Sequence, residues 1–247
     1  MLKKIYVTAL FLTFFSMTGS FLFAQGNDTA PPLQILGSIS LGYANNSDMN
    51  DAAKDRGEQD ADYYNSLVAG DPFSADNSSA NFTYGFDLDL RYFFGNFGVG
   101  AETGYHTAEA ESKVSASGWE DESTTTVELT VIPVVANVFY KISAGSANSF
   151  FLIGAGVGYY SGTMEYKYED DDTLAGDDSF TKKDKNSAMG CNALVEYDFV
   201  LDNGITFFTG VKARYVEFDK FEDEGFKISD GGSLTGVNWY IGAGVSI

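Results

Sequence analysis

From Leu234 to Ile247 the chain alternates without a break. Thr235, Val237, Trp239, Ile241, Ala243, Val245 and Ile247 share one parity, and Leu234, Gly236, Asn238, Tyr240, Gly242, Gly244 and Ser246 share the other. A period of two means a β-strand with two unlike faces. A continuous apolar face opposite glycine and polar groups is the pattern of a strand set between lipid and a narrow lumen. Seven earlier segments repeat it. The expected fold class is therefore all-β: an eight-stranded antiparallel up-and-down transmembrane β-barrel with four long extracellular loops and short periplasmic turns.

The expected strands are Leu33–Tyr43, Asn81–Tyr92, Phe97–His106, Thr125–Lys141, Phe150–Tyr160, Ala188–Phe199, Ile205–Val216 and the closing segment. The fourth is the least regular. Val127, Leu129 and Val131 alternate up to Pro133, after which the outward parity passes to Val134, Ala136, Val138 and Tyr140. Proline cannot donate to a ladder, so a bulge at Pro133 is expected to absorb the switch. The connections after the second, fourth and sixth strands are short, and Asp202-Asn203-Gly204 is a strong hairpin signal. The others are long, roughly 44–80, 107–124, 162–187 and 217–232. Aromatic residues crowd the strand ends, as two interfacial girdles require: Tyr43, Tyr84, Tyr105, Tyr159, Tyr215 and Trp239 among them. A soluble barrel would have to pack these rings into its small lumen and turn its glycines to water.

Lys3 and Lys4, the apolar run Ile5–Phe15 and small residues around Thr18–Ser20 read as a secretory leader cut after Ala24. Residues 1–24 are thus expected to be a cleaved signal peptide and 25–247 a single barrel domain. Net charge is −20, and −22 once Lys3 and Lys4 leave. Such a surface repels nucleic acid. One histidine and one cysteine exclude a His/Cys-rich metal site. Cys191 lies on the apolar parity and reads as a small hydrophobe.

Four stretches carry a further signal: Val131–Tyr140, Ile153–Tyr160, Ala213-Arg214-Tyr215 and the closing Gly242–Ile247. They resemble the small outer-membrane β-barrel proteins of the OmpA/OmpX/OmpW-like superfamily, and the resemblance spans most of residues 31–247. It implies a place in the cell outer membrane, contact with its lipids and lipopolysaccharide-type surface, and insertion by the barrel-assembly machinery. Members usually end in an aromatic residue, whereas this chain ends in Ile247.

Inside the expected lumen fall Asp87, Asp89, Arg91, Glu102, Glu196, Asp198, Lys212 and Arg214. Eight strands leave an interior just wide enough to fill with side chains. Buried charges need partners, so Arg91 is expected to pair with Glu196 or Asp198, and Lys212 or Arg214 with Glu102 or Asp87. The four long connections hold 27 acidic residues and nine basic ones. Glu169, Asp170, Asp171 and Asp172 form the densest run and are a candidate for weak cation binding, though without EF-hand spacing. The expected role is structural or surface-interacting, with an extracellular ligand or host protein as partner and no cofactor. A narrow channel for ions or small hydrophobic molecules, as in OmpW-like proteins, is the alternative. A lipid-modifying enzyme is the remote one. Deacylases of this architecture pair a His with a Ser two residues on, but His106 is followed by Thr107, Ala108 and Glu109.

Overall fold

The computed structural model describes residues 33–70, 72–117, 122–146, 148–171, 178–219, 221–223, 226–227 and 231–247. The leader expected at 1–24 and Asp172 lie outside them. The elements run β1 (Leu33–Ala44), α1 (Ser47–Leu67), β2 (Ser74–Asn77), β3 (Phe82–Phe94), β4 (Phe97–Ser115), β5 (Glu122–Ser146), β6 (Ser149–Asp171) and β7 (Asp178–Val200). β8 (Ile205–Tyr215), β9 (Glu222–Asp223), β10 (Phe226–Lys227) and β11 (Gly236–Ser246) complete the chain.

Eight strands close into one antiparallel ring, β1-β3-β4-β5-β6-β7-β8-β11, and β2 adds to the outer end of β4. The seam joins β11 to β1 in the register Gln34↔Ser246 through Ala44↔Gly236. Leu33 and Ile247 exchange backbone bonds of 3.3 and 2.8 Å at its foot. Closure satisfies each strand on both sides, which a spanning sheet needs because lipid offers no hydrogen bonds. The short turns lie at the same end as the seam's foot. Gly95 (φ 62°) and Gly204 (φ 83°) supply left-handed backbone there, and a register shift between Ser143 and Ser146 shapes the third turn.

The outward parity forms the expected belt. Ile35, Ile39, Leu41, Phe86, Leu88, Leu90, Val195, Val211 and Ile241 are exposed in its middle. Rings mark both margins. Tyr92–Phe94, Phe97–Tyr140 and Phe151–Tyr197 meet in pairs 4.7–5.3 Å apart at the turn end, and Tyr43, Tyr84, Tyr105, Tyr159, Tyr215 and Trp239 are exposed toward the other. Cys191 is a free thiol exposed on this outer surface.

Three expectations require correction. First, β5 crosses Pro133 without a bulge. Its pairing with β4 has one register from Ser115↔Glu122 to Phe97↔Tyr140, interrupted only around Pro133, and its pairing with β6 continues through Pro133↔Tyr160. Val131 and Val135 are both buried, while Val134 is 60% exposed. Val127, Leu129 and Val131 therefore lie on the inner face. The parity is constant, and what changes at Pro133 is the solvent outside. Second, the segments 107–124 and 162–187 are mostly ladder rather than loop. β4 to β7 run far past the belt, with pairs such as Glu111↔Thr126, Glu128↔Glu165 and Glu165↔Lys183. Above the belt the outer face meets water, so Glu109, Glu111, Lys113, Glu128 and Lys183 point out, and Ala108, Ala110, Val114, Leu129 and Met164 point in.

The inner side of this extension is an apolar core of Ala108, Ala110, Val127, Leu129, Val131, Met164, Tyr166, Val216, Phe218 and Leu234, with Met49 and Ala53 from α1. Third, the segment 44–80, expected as a loop, thus contains a helix that fills the mouth. Met49, Ala53, Gly57, Asp60, Ala61 and Tyr64 recur on one helical face and are buried. A Cβ at Gly57 would collide with Ser112 of β4, so glycine sets how closely α1 can approach the wall.

Leu129→Ala, inside the extension, is expected to lower unfolding free energy by about 2–5 kcal/mol. Val134→Ala, on the lipid face of the same strand, is expected to cost under about 1 kcal/mol, because lipid fills the space that truncation would leave empty in a core. Urea titration of the two variants in lipid vesicles checks the contrast, and equal losses would contradict an inward Leu129.

Candidate functional site

The lumen is filled in layers. At the turn end Phe93, Phe139, Phe150, Leu152, Leu194 and Val200 pack together. The Lys141 ammonium lies among them, 3.7 Å from the Phe93 ring centroid and 4.7 Å from that of Phe150. Glycine makes the space: a Cβ at Gly154 would stand 2.8 Å from the Phe139 ring. Leu36, Phe208 and Tyr240 form a second apolar group.

Above this layer β3, β4, β7 and β8 converge their charges. The Arg91 guanidinium is buried, 4.9 and 5.6 Å from the centroids of Phe139 and Phe208. It makes a two-pronged contact with Glu196, Nη1 to Oε1 and Nη2 to Oε2 (3.1 Å), and Nη2 also donates to Asp89 (3.4 Å). Planar forks of this kind suit carboxylates geometrically. Lys212 Nζ donates to Asp87 (3.1 Å) and Glu102 (2.8 Å). Arg214 Nη2 donates to the same two carboxylates at 2.8 and 3.3 Å. Asn137 supports Glu102 (3.2 Å), and Arg214 continues through Asn238 (3.2 Å) to Thr83 (2.9 Å). Asp198 is buried beside Glu196, within electrostatic reach of Arg91 and Lys141.

All eight lumen residues read from the sequence are buried in this layer. Two further charged or titratable side chains join them. His106 Nε2 lies 2.8 Å from Asp87 Oδ1, and Lys141 stands in the lower layer. Strand parity marks both: His106 shares the inward parity of Glu102, and Lys141 that of Asn137. His106 is wholly buried, and Glu109 is on the opposite face of β4.

The acidic run at the top of β6 is divided by the same alternation. Glu169 and Asp171 are exposed, while Asp170 turns inward to accept from the Tyr64 and Tyr168 hydroxyls. Among the described residues no three His, Cys, Asp or Glu side chains are placed to hold a metal ion. Asp170 instead helps to tether α1. Asp60 of the helix accepts from Ser123 (3.2 Å) and pairs with Arg56 (3.1 Å), whose guanidinium lies 4.4 Å from the Tyr168 ring centroid. Burial pushes the Asp60 carboxyl above its ordinary range and the Tyr168 phenol up to about 12.

A closed ring with an apolar belt, ring-lined margins and charges turned inward is a transmembrane β-barrel, and its class is the small barrel of eight strands. No family model and no curated protein matches the chain. Among solved structures it is similar to OprG from Pseudomonas aeruginosa (12% identity, 87% of this chain and 95% of that one, TM-score 0.47). It is similar also to Neisserial surface protein A (10%, 87% and 97%, 0.43) and to Ail, the attachment invasion locus protein of Yersinia pestis (12%, 88% and 99%, 0.37).

Glu196→Ala would take from the Arg91 guanidinium its two-pronged partner and leave it the longer contact with Asp89 (3.4 Å). The expected loss is about 3–5 kcal/mol, whereas replacing the pair together, Arg91→Met with Glu196→Leu, should return to within about 1–2 kcal/mol of the parent. Urea midpoints of the three proteins check this, and equal destabilisation by both replacements would refute the pairing.

Proposed function

We propose that the chain is a sealed outer-membrane barrel whose working part is the rigid extension standing above the belt, serving a structural or surface-interaction role. The observation that carries the reading is the filling of the lumen. A charged layer, with Lys212 and Arg214 bridging Asp87 and Glu102, lies between the Phe93–Val200 layer below and the Val127–Val131 layer above. Passage of an ion would require these bonds to break and then two apolar layers to hydrate. The extension has the opposite character: a firm core, a tethered helix and an outer wall of charged and hydroxyl side chains.

A non-catalytic role is part of the same proposal. His106, the single histidine, is spent on Asp87 inside the barrel and has no route to the lipid surface where an acyl chain would lie.

Planar-bilayer recording tests the sealed barrel against the narrow channel. The folded protein is expected to give no steady conductance, at neutral pH or under applied voltage. Reproducible open-channel steps would overturn the proposal.

A further inference from the structure

Above the belt the ring is no longer closed. β8 stops at Tyr215, opposite Cys191 of β7, and the highest pair of β3 with β4 is Thr83↔Ala108. β4, β5, β6 and β7 continue upward without those neighbours, so the extension is a sheet with one edge at β4 and the other at β7. A strand edge carries a row of backbone donors and acceptors and is a template for another chain. Copies inserted in one membrane stand upright and bring such edges to the same height.

The β4 edge is covered by the chain itself. β2 pairs along it from Ser74↔Ser115 to Asn77↔Ser112. Just below, the Glu111 carbonyl accepts from the Ser78 N–H (2.7 Å), and the Glu111 N–H donates to the Ser78 hydroxyl (2.8 Å).

The β7 edge has no such strand among the described residues. In an antiparallel ladder a residue's N–H and C=O point to the same side, and successive residues alternate. Val200 donates to Asn148 on the β6 side, so the even-numbered residues of β7 serve β6 and the odd-numbered ones face away from it. Above Cys191 the edge groups therefore belong to Ser179, Thr181, Lys183, Lys185, Ser187 and Met189. Side chains take the N–H groups in the middle of this row. The Asp184 carboxylate accepts from Lys185 N (2.7 Å), and the Asn186 side-chain oxygen accepts from Ser187 N (2.7 Å). Asn186 is itself fixed, because its amide nitrogen donates to the Asp219 carbonyl (2.8 Å). Asn192 has the same parity farther down β7, where β8 takes the edge, and it caps nothing. The caps thus fall where the ladder partner is missing. Lys182 and Asp184 on the inward parity and Lys183 and Lys185 on the outward add charge against an incoming strand.

We infer that Asp184 and Asn186 close the β7 edge to strand addition, so that a second copy of the chain, or an extended segment of another protein, meets the extension by its faces. The inference rests on the reading of the extension as the working part of the molecule. A strand arriving at this edge would set carbonyls against the occupied N–H groups of Lys185 and Ser187 and leave those acceptors without a bond.

The test follows backbone amide exchange and sedimentation of the folded full chain in zwitterionic detergent micelles, with heat-modifiable migration on gels confirming that each variant is folded. In the parent the Lys185 and Ser187 amides should exchange about tenfold more slowly than those of Thr181 and Lys183, which share the edge without a cap. Asp184→Ala with Asn186→Ala should remove that difference. In high salt, which screens Lys182, Lys183 and Lys185, the same variant should self-associate, and its Thr181 and Lys183 amides should then slow as a new ladder forms. Asp184→Asn keeps the acceptor and should stay monomeric. So should Lys183→Ser with Lys185→Ser, which keeps both caps. A double alanine variant that remains monomeric in high salt, or that associates without slowing Thr181 and Lys183, overturns the inference. Association of the serine variant overturns it too, since the lysines rather than the caps would then guard the edge. Planar-bilayer recordings of the same variants should stay silent. Conducting steps would count against the sealed barrel and leave the caps standing, so the failures of the two readings are told apart.

Discussion

Closure of the backbone governs this molecule. In hydrocarbon an unpaired N–H or C=O has no substitute partner, so the eight spanning strands must form a ring, and the β1–β11 seam is its last joint. A ring of eight leaves an interior the width of side chains. That interior has to be filled from the inward parity of the same strands that present the belt. The filling comes from a few long side chains crossing to strands that offer glycine. Arg91 lies against Phe139 and Phe208, and a Cβ at Gly210 would stand 2.5 Å from the Tyr240 hydroxyl. The same closure explains why the charges are layered. A guanidinium in so narrow a space finds no bulk water, and its carboxylates must arrive from the facing wall.

Within the belt the architecture was legible because period and environment agree. Lipid outside and polar lumen inside make every strand two-faced, so strand count, parity, turns and the eight lumen charges all follow from alternation. Above the belt the period persists but the environment reverses. Glu109, Glu111 and Lys113 face water and Ala108, Ala110 and Val114 face the core, so a charge-rich stretch looks like a loop unless its parity is followed. The same reversal gave Val127, Leu129 and Val131 the appearance of a lipid face and made Pro133 look like a bulge. The helix was hidden differently. Its buried face uses Met49, Ala53, Gly57, Asp60 and Tyr64, two of them polar or without a side chain, so its apolar stripe is weak against a background of aspartates. His106 and Lys141 both sit on inward parity, but a lone histidine invites a catalytic reading and Lys141 stands at a strand end, where parity is a weaker guide.

The acidic run shows what a composition count leaves out. Glu169, Asp170, Asp171 and Asp172 are consecutive, but a strand sends neighbours to opposite faces. Asp170 turns toward Tyr64 and Tyr168, while Glu169 and Asp171 stay in water. Density along the chain does not become density in space, which a hard cation requires. What the inner carboxylates do instead is fasten the helix. Asp60 and Asp170 take their hydrogen bonds from Ser123, Arg56, Tyr64 and Tyr168, residues drawn from α1 and from the two hairpins around it. The mouth is held shut by side chains, since no strand pairs with the helix.

Register is where the buried charges have their sharpest effect. A strand whose inner face is mostly glycine specifies its pairing weakly, because small residues pack almost equally well one step along. β4, β6 and β11 have such faces, with Gly98, Gly100 and Gly104, then Gly154, Gly156 and Gly158, then Gly242 and Gly244. A slip of one residue would turn Glu102 or Arg214 into lipid, at a cost that glycine packing cannot offset. A slip of two keeps the parity but moves a charge by two residues along the strand, about 7 Å, and so breaks the Lys212 and Arg214 contacts to Asp87 and Glu102. The charge layer therefore selects one register from several that backbone pairing alone would accept. By setting the register of β3, β4, β7 and β8 it also sets the height at which β4 and β7 leave the belt, and with it the position of the extension above the lipid.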